Sequence, residues 1–103
     1  NIELAKLLAE EIHADFVTND VSELLSRSEL DAVIIATNET AHFVPVSLAI
    51  ERKLSLFIEK PLAVEFKQSK ELLNKIMCHN IDAVMGYTQR FLELKNKKNE
   101  IYC

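Results

Sequence analysis

Glu59-Lys60-Pro61, set directly after the apolar run Leu56-Phe57-Ile58, is the stretch of this chain best suited to chemistry. A lysine ammonium can share a proton with an alcohol, and its charge favours a developing alkoxide. Pro61 has no backbone N–H, so a strand must stop there, and the residue before a proline is held extended. Lys60 is therefore expected at the carboxyl end of a strand, where ligand crevices of open α/β sheets lie. On composition alone, Glu59 and Lys60 read equally as two solvated residues at a strand end. Two further stretches shift the balance: Thr37-Asn38-Glu39-Thr40 followed by His42, and Gly86-Tyr87 leading to Arg90.

The elements that must position these residues alternate along the chain. Ile2, Ala5, Leu8, Ala9 and Ile12 recur at helical spacing and predict an amphipathic helix over residues 2–13. Asp15-Phe16-Val17 is a short strand at best, and Asp20 with Glu23 has the spacing of a capping box that opens a short helix. Asp31-Ala32-Val33-Ile34-Ile35-Ala36 reads as a parallel strand buried on both faces, ending in the Thr37 loop. Pro45 suits the first turn of a helix over about 44–52. After the Lys60 strand, Phe66, Ser69, Leu72, Leu73, Ile76 and Met77 mark one face of a helix over about 65–79, with Leu73, Ile76 and Met77 expected in the core. Asn80 is a plausible left-handed stop, and Ile81 to Met85 forms the last strand. The pattern from Lys95 to Glu100 dissolves into Lys, Asn and Glu, a solvated tail. Helix alternating with strand spells a parallel, doubly wound sheet with right-handed crossovers, so the three stretches share one rim.

Composition bounds the function. At 103 residues the chain holds at most one domain, and no apolar run approaches the roughly 20 residues of a membrane span. The net charge of −4, with acids and bases interspersed, argues against nucleic acid or an anionic membrane as partner. Cys78 and Cys103 lack metal-ligand spacing, and reduced thiols in a cytoplasmic protein are the plain expectation. His13, His42 and His79 are too scattered to suggest a metal site. The chain contains one glycine, Gly86, whereas a dinucleotide fingerprint needs three at a strand-to-helix turn.

Taken in order over about residues 13–91, the motifs resemble those of the glucose–fructose oxidoreductase and inositol dehydrogenase (Gfo/Idh/MocA) family. Asp31 to Thr37 with His42 is similar to its strand ending in Thr-Pro with a histidine five residues after the threonine. Glu59-Lys60-Pro61 matches its Glu-Lys-Pro signature, and Gly86-Tyr87-Thr88-Gln89-Arg90-Phe91 resembles its Gly-Tyr-x-x-Arg-Phe ending. The resemblance implies an incomplete NAD(P)-binding Rossmann domain over 1–91, with 92–103 a polar tail or the start of a linker. It implies Lys60 as the catalytic residue, Thr37, Asn38, His42, Glu59, Lys60 and Pro61 on the cofactor side, and Arg90 toward the substrate. It further implies hydride transfer between NAD or NADP and a sugar, polyol or related hydroxy compound. Lys60-Pro61 is a candidate for a cis bond that turns the lysine into the cleft.

The chain departs from the family at Asn38, where a proline is usual, at Lys53, where a glycine usually ends the middle helix, and at Glu65, where a threonine often caps. The family's first strand with its glycine-rich turn, its second strand and its substrate domain have no counterpart here, so the chain is expected to be a piece of a longer oxidoreductase. The alternatives are a non-catalytic α/β module acting in binding or assembly, and an unrelated small domain. The sheet edge beside Asp31–Ala36 is expected to stand open, either paired with a second copy or beside a stretch left partly disordered through residue 30. With one glycine and no pyrophosphate cradle, the isolated chain should bind NAD(H) or NADP(H) weakly or not at all. Calorimetric titration checks this, and a low-micromolar Kd would contradict it.

Overall fold

The computed structural model describes residues 1–87. Its elements run α1 (Ile2–Glu11), α2 (Val21–Leu25), β1 (Ala32–Ile35), a 3₁₀ turn (Glu39–Ala41), α3 (Phe43–Glu51), β2 (Ser55–Glu59), α4 (Phe66–Cys78) and β3 (Ala83–Gly86). The strands form one parallel sheet in the order β1-β2-β3. The register places Val33 beside Leu56 and Ala83, Ile34 beside Phe57 and Val84, and Ile35 beside Ile58 and Met85.

Side chains alternate across a strand, and the two crossover helices α3 and α4 cover one face only. Ile35, Leu56 and Ile58 point into a core shared with Val46, Ala49, Ile50 and Leu72. The other face carries Ile34, Phe57 and Val84, which are 73%, 37% and 61% exposed. Burial of β1 on both faces is thus not what the described residues provide. An all-apolar run says that a strand is suited to two covered faces; it does not supply the second cover. The expected strand at Asp15–Val17 is also absent, since these residues form an irregular connection between α1 and α2. Phe16 lies there beneath the Arg27 guanidinium, 4.4 Å from its ring centroid. No described strand pairs with the outer edge of β1.

Local chemistry sets the helix ends. The Asp20 side chain accepts from the Ser22 and Glu23 amides, as the capping spacing predicted. Glu23 does not close the box itself. Its carboxylate takes the Thr18 hydroxyl, and Thr18 Oγ1 in turn accepts from the Asp20 amide. The helices α1, α3 and α4 all end alike. His13, Lys53 and Asn80 take positive φ, while the next residue's amide reaches back to Ala9, Ala49 or Ile76. This is the Schellman arrangement, normally built on glycine. Lys53 in particular carries a left-handed cost of about 1–2 kcal/mol. Glu65 caps α4 without a side-chain hydrogen bond.

Two amphipathic faces are less buried than their periodicity suggests. No residue of α1 is buried, and Leu8 and Ile12 are exposed. On α4 only Leu72 is fully buried and Ile76 half-buried, whereas Phe66, Leu73 and Met77 stand in solvent. The inward stripe is centred on Leu72, so Leu73, one residue on, is turned about 100° away. Leu72→Ala should therefore cost about 2–5 kcal/mol, and Leu73→Ala only a few tenths. Urea unfolding of the two variants checks the difference, and equal losses would contradict it.

Candidate active-site rim

Parallel strands put their carboxyl ends on one side, and here that side gathers the Thr37 loop, the Glu59-Lys60-Pro61 turn and Gly86-Tyr87. Thr37 and Asn38 follow β1 and are exposed. The Thr37 hydroxyl donates to the Asn38 carbonyl at 3.4 Å. Asn38 Oδ1 accepts from the Thr40 amide at 3.2 Å and the Thr40 hydroxyl at 3.0 Å, capping the 3₁₀ turn. An asparagine is a good cap where a proline could not be one, which explains why this departure from the family pattern is tolerated.

Glu59 ends β2 half-buried, and its Oε2 accepts from the Lys60 amide at 3.3 Å. It stands opposite Gly86 in the register. A Cβ on Gly86 would lie 3.0 Å from Glu59 Oε1 and 3.1 Å from Phe57 Cε1. The chain's one glycine is therefore where the Glu59 carboxylate and the Phe57 ring lie against β3. Sequence reasoning assigned Gly86 no role of its own. A lone glycine inside a strand was the available signal, because it marks close approach.

Lys60 follows with its side chain exposed, and the Lys60-Pro61 bond is cis. Behind the turn the chain is anchored: Ala63 is buried, and its carbonyl accepts from Ser69 Oγ of α4 at 3.1 Å. Pro61 itself is half-buried, its carbonyl 2.7 Å from His42 Nδ1.

His42, which the family resemblance assigns to the cofactor side, is 1% exposed, the one polar residue buried as a whole among the described residues. It precedes α3 without capping it. Nε2 lies 3.2 Å from the Thr37 carbonyl. The ring thus sits under the rim, between two loops that carry candidate residues, and both nitrogens face backbone oxygens.

The described residues bring together Thr37, Asn38, His42, Glu59, Lys60 and Pro61, six of the seven predicted site residues. Arg90, like the polar tail, lies outside the described residues. Among the described residues no group of three or more His, Cys, Asp or Glu could hold a metal ion. Glu29, whose carboxylate is held below its ordinary range by a backbone hydrogen bond and by Arg27, lies at the opposite, amino end of β1. An exposed hydroxyl, an amide, a carboxylate and an amino group on one rim offer hydrogen-bond donors and acceptors to a polar ligand. They do not form a cradle for a pyrophosphate.

Comparison with known proteins places the chain in a family and a fold. Residues 1–86 match the model of an oxidoreductase family with an NAD-binding Rossmann fold. The chain is 33% identical over 89 residues to a 2,7-anhydro-N-acetylneuraminate hydratase of Mediterraneibacter gnavus, covering 86% of this chain and 24% of that one. It is 30% identical over 87 residues to a scyllo-inositol 2-dehydrogenase (NAD(+)) of Bacillus subtilis, covering 84% and 25%. A Lactobacillus casei myo-inositol dehydrogenase, solved with NAD(H) and myo-inositol, shares the fold with a TM-score of 0.85 at 24% identity, covering 99% of this chain and 31% of that one. The chain spans about a quarter of the length of the curated relatives it matches.

Proposed function

We propose a function from the premise that this chain belongs to the Gfo/Idh/MocA oxidoreductase family, over residues 1–86 of its NAD-binding Rossmann fold. It is the carboxyl half of the cofactor-binding sheet in a longer oxidoreductase that moves hydride between NAD and a ring hydroxyl of a sugar, polyol or related compound. The observation that carries the reading is Lys60, exposed at the end of β2 on a rim shared with Thr37 and Asn38. The names of the relatives, an anhydro sugar acid and two inositols, support the substrate class.

Bound NAD(H) would supply the hydride donor or acceptor. Of this chain's residues, Thr37 and Asn38 bind on the β1 side, the Asn38 side chain oriented by its cap on Thr40 and the Thr37 hydroxyl resting on the Asn38 carbonyl. Glu59 binds on the β2 side, its carboxylate held against Gly86. As its free amine Lys60 takes the proton of the substrate hydroxyl while hydride leaves the same carbon and the carbonyl forms, and as the ammonium it returns that proton in the reverse direction. The remaining sheet and the substrate domain would exclude water from Lys60 and from the reacting hydroxyl. The open outer edge of β1 is then the place where the family's other strands join, in preference to a second copy of the chain.

In the full-length oxidoreductase, Lys60→Ala should lower kcat by about 10²–10⁴-fold while changing the cofactor Kd far less. Steady-state kinetics on inositols and sugar acids, paired with NAD or NADP titration, check this. An unchanged kcat at saturating substrate would make Lys60 a solvated strand-end residue.

A further inference from the structure

Two of the stretches at the rim leave neighbouring strands and carry the predicted site residues that the structure describes. The Thr37 loop leaves β1, and the Lys60-Pro61 turn leaves β2. Strand pairing ends at Ile35 and Ile58, so no described ladder hydrogen bond fixes their separation beyond that point. His42 does span the gap. Its Nδ1 reaches the Pro61 carbonyl, nineteen residues away, at 2.7 Å, and its Nε2 reaches the Thr37 carbonyl at 3.2 Å.

We propose that His42 is a positioning residue, tying the cofactor-side loop to the lysine turn so that Lys60 is aimed at the reacting hydroxyl. The inference rests on the reading of Lys60 given above. Three features favour it over simple packing. The ring is buried at 1% exposure, so its polar atoms would be costly without partners. A neutral imidazole has one N–H and a carbonyl can only accept, so one contact is the donated bond: the shorter, from Nδ1–H to the Pro61 carbonyl, joins the segment that carries His42 to the lysine turn, while the Thr37 carbonyl lies against Nε2. Neither nitrogen is left over for a helix cap or for a ligand, so the ring acts on the site only through the loops it joins. The Nδ1 contact is the shorter, so the Pro61 side, and with it Lys60, is held more firmly.

The test uses three substitutions in the full-length protein. His42→Asn places an amide near the Nδ1 position and can still donate to Pro61. His42→Gln reaches toward the Nε2 position and the Thr37 carbonyl. His42→Leu fills the space and donates to neither. The proposal expects His42→Leu to lower kcat by about 10²-fold, the scale of a misplaced catalytic group. The substrate KM should change little, and amide hydrogen exchange should speed up at residues 38–42 and 62–63. His42→Asn should recover most of the turnover and of the protection, and His42→Gln less. Should His42→Leu fail to fold, the order of Asn above Gln in kcat decides the matter. Turnover and rim exchange unchanged in His42→Leu, or Gln equal to or better than Asn, would overturn the proposal. Lys60→Ala run alongside separates the two ideas: if it leaves kcat intact the catalytic reading fails, while the exchange measurements still decide the clamp.

Discussion

Three parallel strands joined through helices must all end on the same side of their sheet, and the site depends on that geometric constraint. The chain cannot run β1 to β2 to β3 in parallel without crossing back each time, and it does so over α3 and α4. Every residue that follows a strand therefore arrives at one rim. Thr37, Lys60 and Tyr87 meet there because Ile35, Glu59 and Gly86 are strand ends, although some 50 residues of sequence separate the first from the last. The fold delivers these residues to the rim; the loops and His42 then set their spacing.

The same crossovers explain what is open. Both helices fall on the face of Ile35, Leu56 and Ile58, and the core with Val46, Ala49, Ile50 and Leu72 forms there. The row Ile34, Phe57 and Val84 is left uncovered, beside the unpaired outer edge of β1. An apolar sheet face of this kind on a stable soluble monomer would be unusual. It is expected of a sheet whose second face is covered by helices, and whose outer edge is paired with strands, supplied from elsewhere in a longer chain, which agrees with the quarter of the relatives' length that is covered here.

Much of this arrangement was legible in the sequence, and the reasons differ by residue. Pro61 ends a strand because it lacks a donor, so the placement of Lys60 followed from covalent chemistry. Asp20 caps α2 through its own short side chain, and Lys53 and Asn80 take left-handed φ as the position of their helix ends required. These are local effects, settled within a few residues. What could not be read was set by distant neighbours. Leu73, Met77 and Phe66 share a helical stripe with Leu72, but where α4 rests decides which of them is buried. Phe16 and Val17 have strand character, yet a strand needs a partner, and none of the described strands is adjacent. His42 was read as a rim residue from its motif. Its ring is buried against the Thr37 and Pro61 carbonyls, contacts that no spacing along the chain reports. Gly86 was visible as a lone glycine, but its reason, the Glu59 carboxylate lying across it, needed the register of β2 on β3.

The central claim is that this rim holds the nicotinamide end of NAD with Lys60 facing the hydroxyl that reacts. The most direct measurement is a crystal structure of the full-length protein with NAD(H) and a bound polyol. Lys60 Nζ should lie within hydrogen-bond reach, about 2.6–3.2 Å, of a ring hydroxyl of that polyol, beside Thr37 and Asn38 in contact with the cofactor. A cofactor seated away from the carboxyl ends of β1 and β2, with Lys60 in bulk solvent, would contradict it.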